Sequence, residues 1–394
     1  MRSLLFVIGL FTSLNILAQP NTEVYLFDLK INEGKTELLN PKNISNNEGY
    51  DNQPSFLDEN TLVYAATRDE QTDILKFDII KGSVKTWITD TPTGSEYSPL
   101  KIPKKESVSA IRLDLNGLQR LYEYDISTGE SQLILKDVKV GYHVWHNQNI
   151  LVATVLVENG MNLIIANLEN GEIKTIDQEV GRSLHAIPFT TQISYLKKNG
   201  DQWTIKALDP LTQDTIDLID LMPNTQDICW LQDGSILTGN GKSLFQAYPN
   251  KEKRWKPLLY FEDEEIQNIS RIAVNEQNTR LAFVSEVSPR HIVDQQLEAY
   301  NARDIEAFVN TYSENVELYI FPNQRIGKGR EDLRNTYASF FKATPDLHCE
   351  IKNRMVIDNK VIDKEFLTIN GQNFSAIAIY EVKNGKIAKV TFIQ

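Results

Sequence analysis

Two groups of side chains in this sequence have the types and spacing to do chemistry. The first is His143, His185 and Asp227, found in Tyr142-His143-Val144-Trp145, Leu184-His185-Ala186-Ile187 and Asp227-Ile228-Cys229-Trp230. Two imidazoles and a carboxylate brought to one place would suit a divalent metal, or would polarise a sugar or acyl group. The second group is His348 and Glu350, followed by Asp363 and Glu365. Each pair is separated by one residue, so on a strand both members share a face. Apolar walls around that face would raise a carboxyl pKa into the range of a usable acid or base. The plainer alternatives are a histidine satisfied by neighbouring backbone and carboxylates that face solvent. Tyr300, Tyr312, Tyr319 and Phe321 are candidate ligand contacts beside the second group, and core aromatics otherwise. No Gly-x-Ser-x-Gly elbow, HExxH helix, phosphate loop or CxxC pair occurs, which removes the best-marked hydrolase, zincin, nucleotide and redox chemistries.

The elements that must position the first group repeat along the chain. Tyr50 to Ile79 reads as a short run ending in Pro54-Ser55-Phe56, an Asp58-Glu59-Asn60 turn, the run Leu62-Val63-Tyr64-Ala65-Ala66, an Arg68-Asp69-Glu70 turn, then Ile74 to Ile79. Short β-rich runs between turns, with no helical period, describe an antiparallel meander. The pattern returns from Tyr97, Tyr142, Leu184 and Asp227, and a last half-unit spans Ile269 to Val284. Repetition of a four-stranded unit at ~40 to 50 residues is the mark of a propeller. The hairpin Val24–Leu29 and Lys35–Leu39 at the start is also half a unit. The two halves complete one blade, which predicts six blades and a ring without a free sheet edge. Aligning the repeats places His143 and His185 at one position on neighbouring channel strands, with Asp227 within a residue of it on the next. A divalent metal in this channel is the one cofactor that the residues suggest.

The first unit resembles the blade repeat of TolB-like propellers (WD40-like repeat) in Tyr50-Asp51, Pro54-Ser55-Phe56, the Asp58-Glu59-Asn60 turn, Leu62-Val63-Tyr64, Arg68-Asp69 and Ile74 through Asp78. The other units match more loosely. The resemblance implies a propeller over residues 20–286, a fold that serves binding scaffolds and enzymes alike.

At Glu286-Val287-Ser288-Pro289 the pattern changes. Ser288 can cap a helix with Pro289 at its first position, and Ile292, Val293, Leu297 and Tyr300 share one helical face. A second helix follows Asp304, Val316 to Phe321 is a strand, and a third helix carries Leu333, Tyr337, Phe340 and Phe341. Four strands then end the chain, with Asn370-Gly371 and Asn384-Gly385 at tight hairpin turns. This segment, residues 287–394, resembles the NTF2-like (SnoaL-like) fold in Leu297 to Phe308, Tyr312-Ser313-Glu314-Asn315-Val316 and Tyr380 to Ile387. The resemblance implies an α+β cone of three helices on a curved antiparallel sheet, seen in isomerases, cyclases, dehydratases and purely binding or dimerising domains. Ketosteroid isomerase-type members carry an acidic base where this chain has Tyr319-Ile320-Phe321-Pro322, so here a replacement base is required.

Composition bounds the surroundings. With 394 residues, 41% hydrophobic and 24% charged, the chain can build two cores. A formal charge of −12 argues against a nucleic-acid groove. Arg2, the apolar run Leu4–Leu17 and Ala18 before Gln19 read as a signal peptide over residues 1–19, too short for a membrane anchor. The expectation is an exported, soluble protein, periplasmic or extracellular, whose two cysteines, Cys229 and Cys349, are buried thiols in different domains. Two functions stay open. One is a binding protein whose propeller mouth recognises a protein, peptide or glycan and whose cone holds a small apolar ligand or forms a homodimer. The other is an isomerase or dehydratase working in the cone, with a metal-assisted lyase or hydrolase in the channel as a third.

Overall fold

Leu62, Val63, Tyr64, Ala65 and Ala66 are consecutive, and none is more than 1% exposed. A strand buried on both faces lies between two layers, here the neighbouring blades of a ring. The computed structural model describes residues 21–32, 35–69, 71–82, 84–263 and 265–393. The signal-peptide reading falls outside the described residues.

Five four-stranded antiparallel sheets follow in chain order, spanning residues 52–87, 94–135, 140–177, 180–220 and 229–260, and are numbered blades 1 to 5. The sixth is assembled from both ends of the ring segment. Its strands are, from the axis outward, Gln267–Val274, Arg280–Glu286, Thr22–Asn32 and Lys35–Asn43. Tyr25 pairs in register with Phe283, and their rings stack at 6.0 Å. The expected closure is present.

Alternate residues of each second strand serve different neighbours, as the two-residue period requires. Leu62, Tyr64 and Ala66 pack with Val24, Leu26, Ala282 and Val284 of blade 6, while Val63 and Ala65 pack with Val108, Ala110 and Tyr124 of blade 2. One such cluster lies at every junction, six in all, including blade 5 with blade 6 through Leu237, Leu244, Phe27 and Phe283. An open stack of six blades would have five junctions; the sixth closes the ring.

Only Val287 and Ser288 separate the last ring strand from α1 (Pro289–Ala302). The Ser288 side chain accepts a hydrogen bond from the Arg290 N–H, and Pro289 occupies the first turn, where no N–H is needed. Helices α2 (Ile305–Asn310) and α3 (Arg330–Ala343) complete the helical layer. The sheet beneath has six strands, in the order 324–328, 312–320, 386–393, 372–383, 360–369 and 348–357. Two details differ from expectation. The edge strand Gln324–Lys328 carries a single aliphatic side chain, Ile326, and so had no alternating pattern to reveal it. The strand Tyr312–Ile320 pairs parallel, not antiparallel, with Lys386–Ile393. The long connection through α3 permits that direction. Cys229 and Cys349 are both buried and unbridged, and burial pushes each thiol up to about 12.

Candidate functional site

The innermost strands converge on the ring axis, and most of them are irregular there. Register shifts interrupt five of the six, between Asn52 and Ser55, Tyr97 and Leu100, Val140 and Tyr142, Val180 and Leu184, and Ser270 and Ala273. Bulges of this kind re-aim side chains. Gln53, Ser98 and Arg271 adopt left-handed backbone at φ 55°, 52° and 49°, which is uncommon for residues with a Cβ. All three line one cavity of about 100 Å³ to which every blade contributes.

The cavity is built around an unequal ion cluster. Arg182 binds Asp227 through two bonds, Nε to Oδ1 at 2.9 Å and Nη2 to Oδ2 at 2.5 Å. Arg271 approaches more loosely, with Nη1 3.6 Å from Asp227 Oδ1 and Nη2 3.4 Å from the Tyr142 hydroxyl. Its guanidinium lies 5.0 Å from the centre of the Tyr142 ring, a cation–π distance. Burial alone would raise the Asp227 pKa, yet Arg271 and Arg182 together hold it below the usual carboxylate value.

His143 and His185 line the same cavity. His143 Nε2 lies 2.7 Å from Ser109 Oγ, which also accepts a hydrogen bond from Trp145 Nε1 at 2.8 Å; its Nδ1 is buried without a partner. His185 Nε2 lies 3.0 Å from Ser183 Oγ, which in turn accepts from the Ile228 N–H at 3.1 Å. Burial pushes His143 down to about 3 and His185 down to about 4, so both are neutral at physiological pH. The expected metal triad is therefore corrected. Asp227 is engaged by guanidiniums and each imidazole by a serine, and among the described residues no three His, Cys, Asp or Glu side chains gather as a ligand set. Arg182 and Arg271 escaped the sequence reading. The available signal was a charge inside an inner-strand run, Ile269-Ser270-Arg271-Ile272, and Arg182 three residues before His185.

In the cone, the second group divides between the two sheet faces. His348 and Glu350 are exposed on the outer face, where Glu350 pairs with Lys352 at 2.5 Å, so the proposed bases there are solvated. Asp363 and Glu365 point inward. Asp363 is bonded by Arg354 (Nε to Oδ1 2.7 Å, Nη2 to Oδ2 2.6 Å), and Arg354 also binds Asp294 of α1. Asp363 is structural. Glu365 accepts a hydrogen bond from the Tyr380 hydroxyl at 2.9 Å, and burial pushes its carboxyl up to about 7 despite that bond.

The four aromatic candidates also part company. Tyr300 and Tyr312 belong to a packed set with Phe308, Tyr337 and Phe341, whose neighbouring ring centres lie 4.6 to 6.3 Å apart. Tyr319 lies on the outer face, its hydroxyl on Glu317 at 3.0 Å, and Phe321 is exposed. They do not form one pocket.

The family model described as SnoaL-like domain matches residues 293–390. Residues 293–390 form a SnoaL-like domain. A cystatin-fold protein from Novosphingobium aromaticivorans is 23% identical and covers 27% of this chain and 99% of its own, with a TM-score of 0.27. A structure described as a putative ketosteroid isomerase from Kribbella flavida is 19% identical and covers 27% of this chain and 76% of its own, with a TM-score of 0.25. Over the ring, a structure described as a putative TolB from Agrobacterium tumefaciens covers 68% of this chain and 98% of its own, at 10% identity and a TM-score of 0.52. That likeness is one of fold alone. Among curated proteins no match is found. No helix among the described residues is long and apolar enough to cross a membrane.

Proposed function

We propose that this is an exported binding protein whose ring recognises a protein, peptide or glycan at the mouth of its axial channel, while the cone joins two copies. One observation carries the reading: all six blades contribute to a single cavity around Arg182, Asp227 and Arg271, and the inner strands bend there to do so. Convergent polar groups in a preformed concavity are what ligand recognition uses. The test is a melting screen against peptides and glycans. All five tryptophans lie in the ring and, among the described residues, all three helices lie in the cone, so tryptophan fluorescence follows the ring and the helical component of the 222 nm signal follows the cone. A ligand that raises only the fluorescence transition supports the reading. A shift confined to the helical signal moves binding to the cone.

Dimerisation is supported by the outer face of the cone sheet. Met355, Ile362, Ile379, Thr391 and Tyr319 stand side by side across five strands, with Ile377 beside Ile393 in the next row. Lys352, Lys364 and Lys389 share that face with Glu317, Glu350 and Glu381, so a second copy related by a two-fold axis can oppose unlike charges. Ile379→Glu is expected to shift the sedimenting species from dimer to monomer without lowering the fluorescence melting temperature. An unchanged dimer would place the contact elsewhere.

A second reading, acid–base chemistry in the cone, is favoured by Glu365, whose protonation midpoint near neutrality suits proton transfer. Its assay is deuterium uptake at the α-carbon of ketones in D₂O, which Glu365→Gln would abolish.

A further inference from the structure

Resting on the binding reading above, we infer that the axial cavity takes the carboxylate of a small organic monoanion, with Arg271 as its principal partner. The charge count comes first. Two guanidiniums face one carboxylate in a cavity whose two histidines are neutral, which leaves one positive charge. In a chain of net charge −12 this is not a share of a generally basic surface. A monoanion cancels it; a dianion would exceed it.

The two arginines are not equivalent. Arg182 is committed to Asp227 by two close bonds, in the planar two-pronged geometry that suits guanidinium and carboxylate. The backbone of Arg271 also bonds Asp227, but its guanidinium reaches Asp227 and Tyr142 at 3.6 and 3.4 Å, outside good hydrogen-bond distance. Its fork is the group still seeking a planar anion, and Tyr142 supports it from the side. Two independent features mark the same spot. Gln53, Ser98 and Arg271 hold backbone conformations that cost energy, and such outliers gather at binding sites. His143, also in the lining, keeps a buried Nδ1 with no partner. A cavity of about 100 Å³ has room for the carboxylate end of a molecule.

Asp227 then has a second role. It is an internal carboxylate that occupies part of the site, so a ligand competes with it for Arg271. The two substitutions this suggests have opposite signs. Calorimetric titration of the purified protein with sodium acetate, at ionic strength held constant with chloride, should show saturable binding. Arg271→Gln, which leaves the Arg182–Asp227 pair whole, should weaken it by about tenfold or more. Asp227→Asn should bind acetate at least as tightly as the parent and should gain affinity for sulfate, because the competing charge is gone.

Saturable binding in neither the parent nor Asp227→Asn would overturn the assignment, as would acetate affinity unaltered in a folded Arg271→Gln variant. If Asp227→Asn fails to fold, judged by tryptophan fluorescence, the Arg271→Gln comparison decides alone. If the screen of peptides and glycans finds a ring ligand that Arg271→Gln binds normally, the carboxylate assignment falls while the ring remains the binding domain. If acetate behaves as described and no larger ligand is found, the carboxylate assignment stands and recognition of a protein, peptide or glycan by the ring falls.

Discussion

Phe283→Ala is expected to cost the ring about 3–5 kcal/mol, the usual range for emptying a buried aromatic site. Phe283 is 0% exposed and touches three other rings: Phe27 at 5.0 Å, Phe261 at 5.4 Å and Tyr25 at 6.0 Å between centres. The neighbours belong to the N-terminal strand and to the segment after blade 5, so the lost ring comes from the closing seam itself. The measurement is urea unfolding followed by tryptophan fluorescence, with the 222 nm signal read in parallel. The fluorescence midpoint should fall while the helical transition stays in place. A loss below about 1 kcal/mol would mean that the seam is not held by this cluster.

Glu365→Gln is expected to stabilise the cone above neutral pH. The folded-state pKa of Glu365 is raised from 4.5 to about 7, with burial the leading cause. A carboxyl raised in the folded state contributes stability that is complete below its unfolded value and is lost as pH rises through the folded one. The window is therefore about pH 4.5 to 7, and the full difference is on the order of 3 kcal/mol. The Tyr380 hydroxyl can still donate to the glutamine carbonyl, so the variant removes the charge while keeping the bond. At pH 4, below the unfolded value, the two proteins should melt together by the 222 nm signal; at pH 8 the variant should melt higher. Reading the cone alone matters because Asp51 and Glu96 in the ring are also pushed up to about 7 by burial. A variant that melts lower at both values would make the ionised Glu365 a stabilising group, contrary to this account.

The ring was legible because its signals are local and repeated. Turn residues punctuate short β-rich runs, and the half-units at either end of 20–286 match each other in the sequence itself. The chemistry was less legible for the opposite reason. His143 and His185 were correctly placed on adjacent channel strands, but what they bond is decided by Ser109 and Ser183, which no spacing rule connects to them. Arg271 is distant in sequence from Asp227 and meets it only because the last blade closes beside the fifth. In the cone, strand alternation puts Asp363 and Glu365 on one face, as expected, yet cannot say that Arg354 bonds the first directly and acts on the second only from a distance. Side-chain partners drawn from different blades or strands are a property of the folded chain, and a one-dimensional reading recovers only the positions from which they reach.

The pairing of Thr22–Asn32 with Arg280–Glu286 also sets a timetable. During synthesis the strand that finishes the ring emerges first and finds its partner last, after every other blade has been made. Until then its hydrogen-bonding edge and the apolar row Val24, Leu26 and Phe27 lie open to any other chain. The first route to misassembly is therefore a neighbour's Arg280–Glu286 strand taking the place of the chain's own.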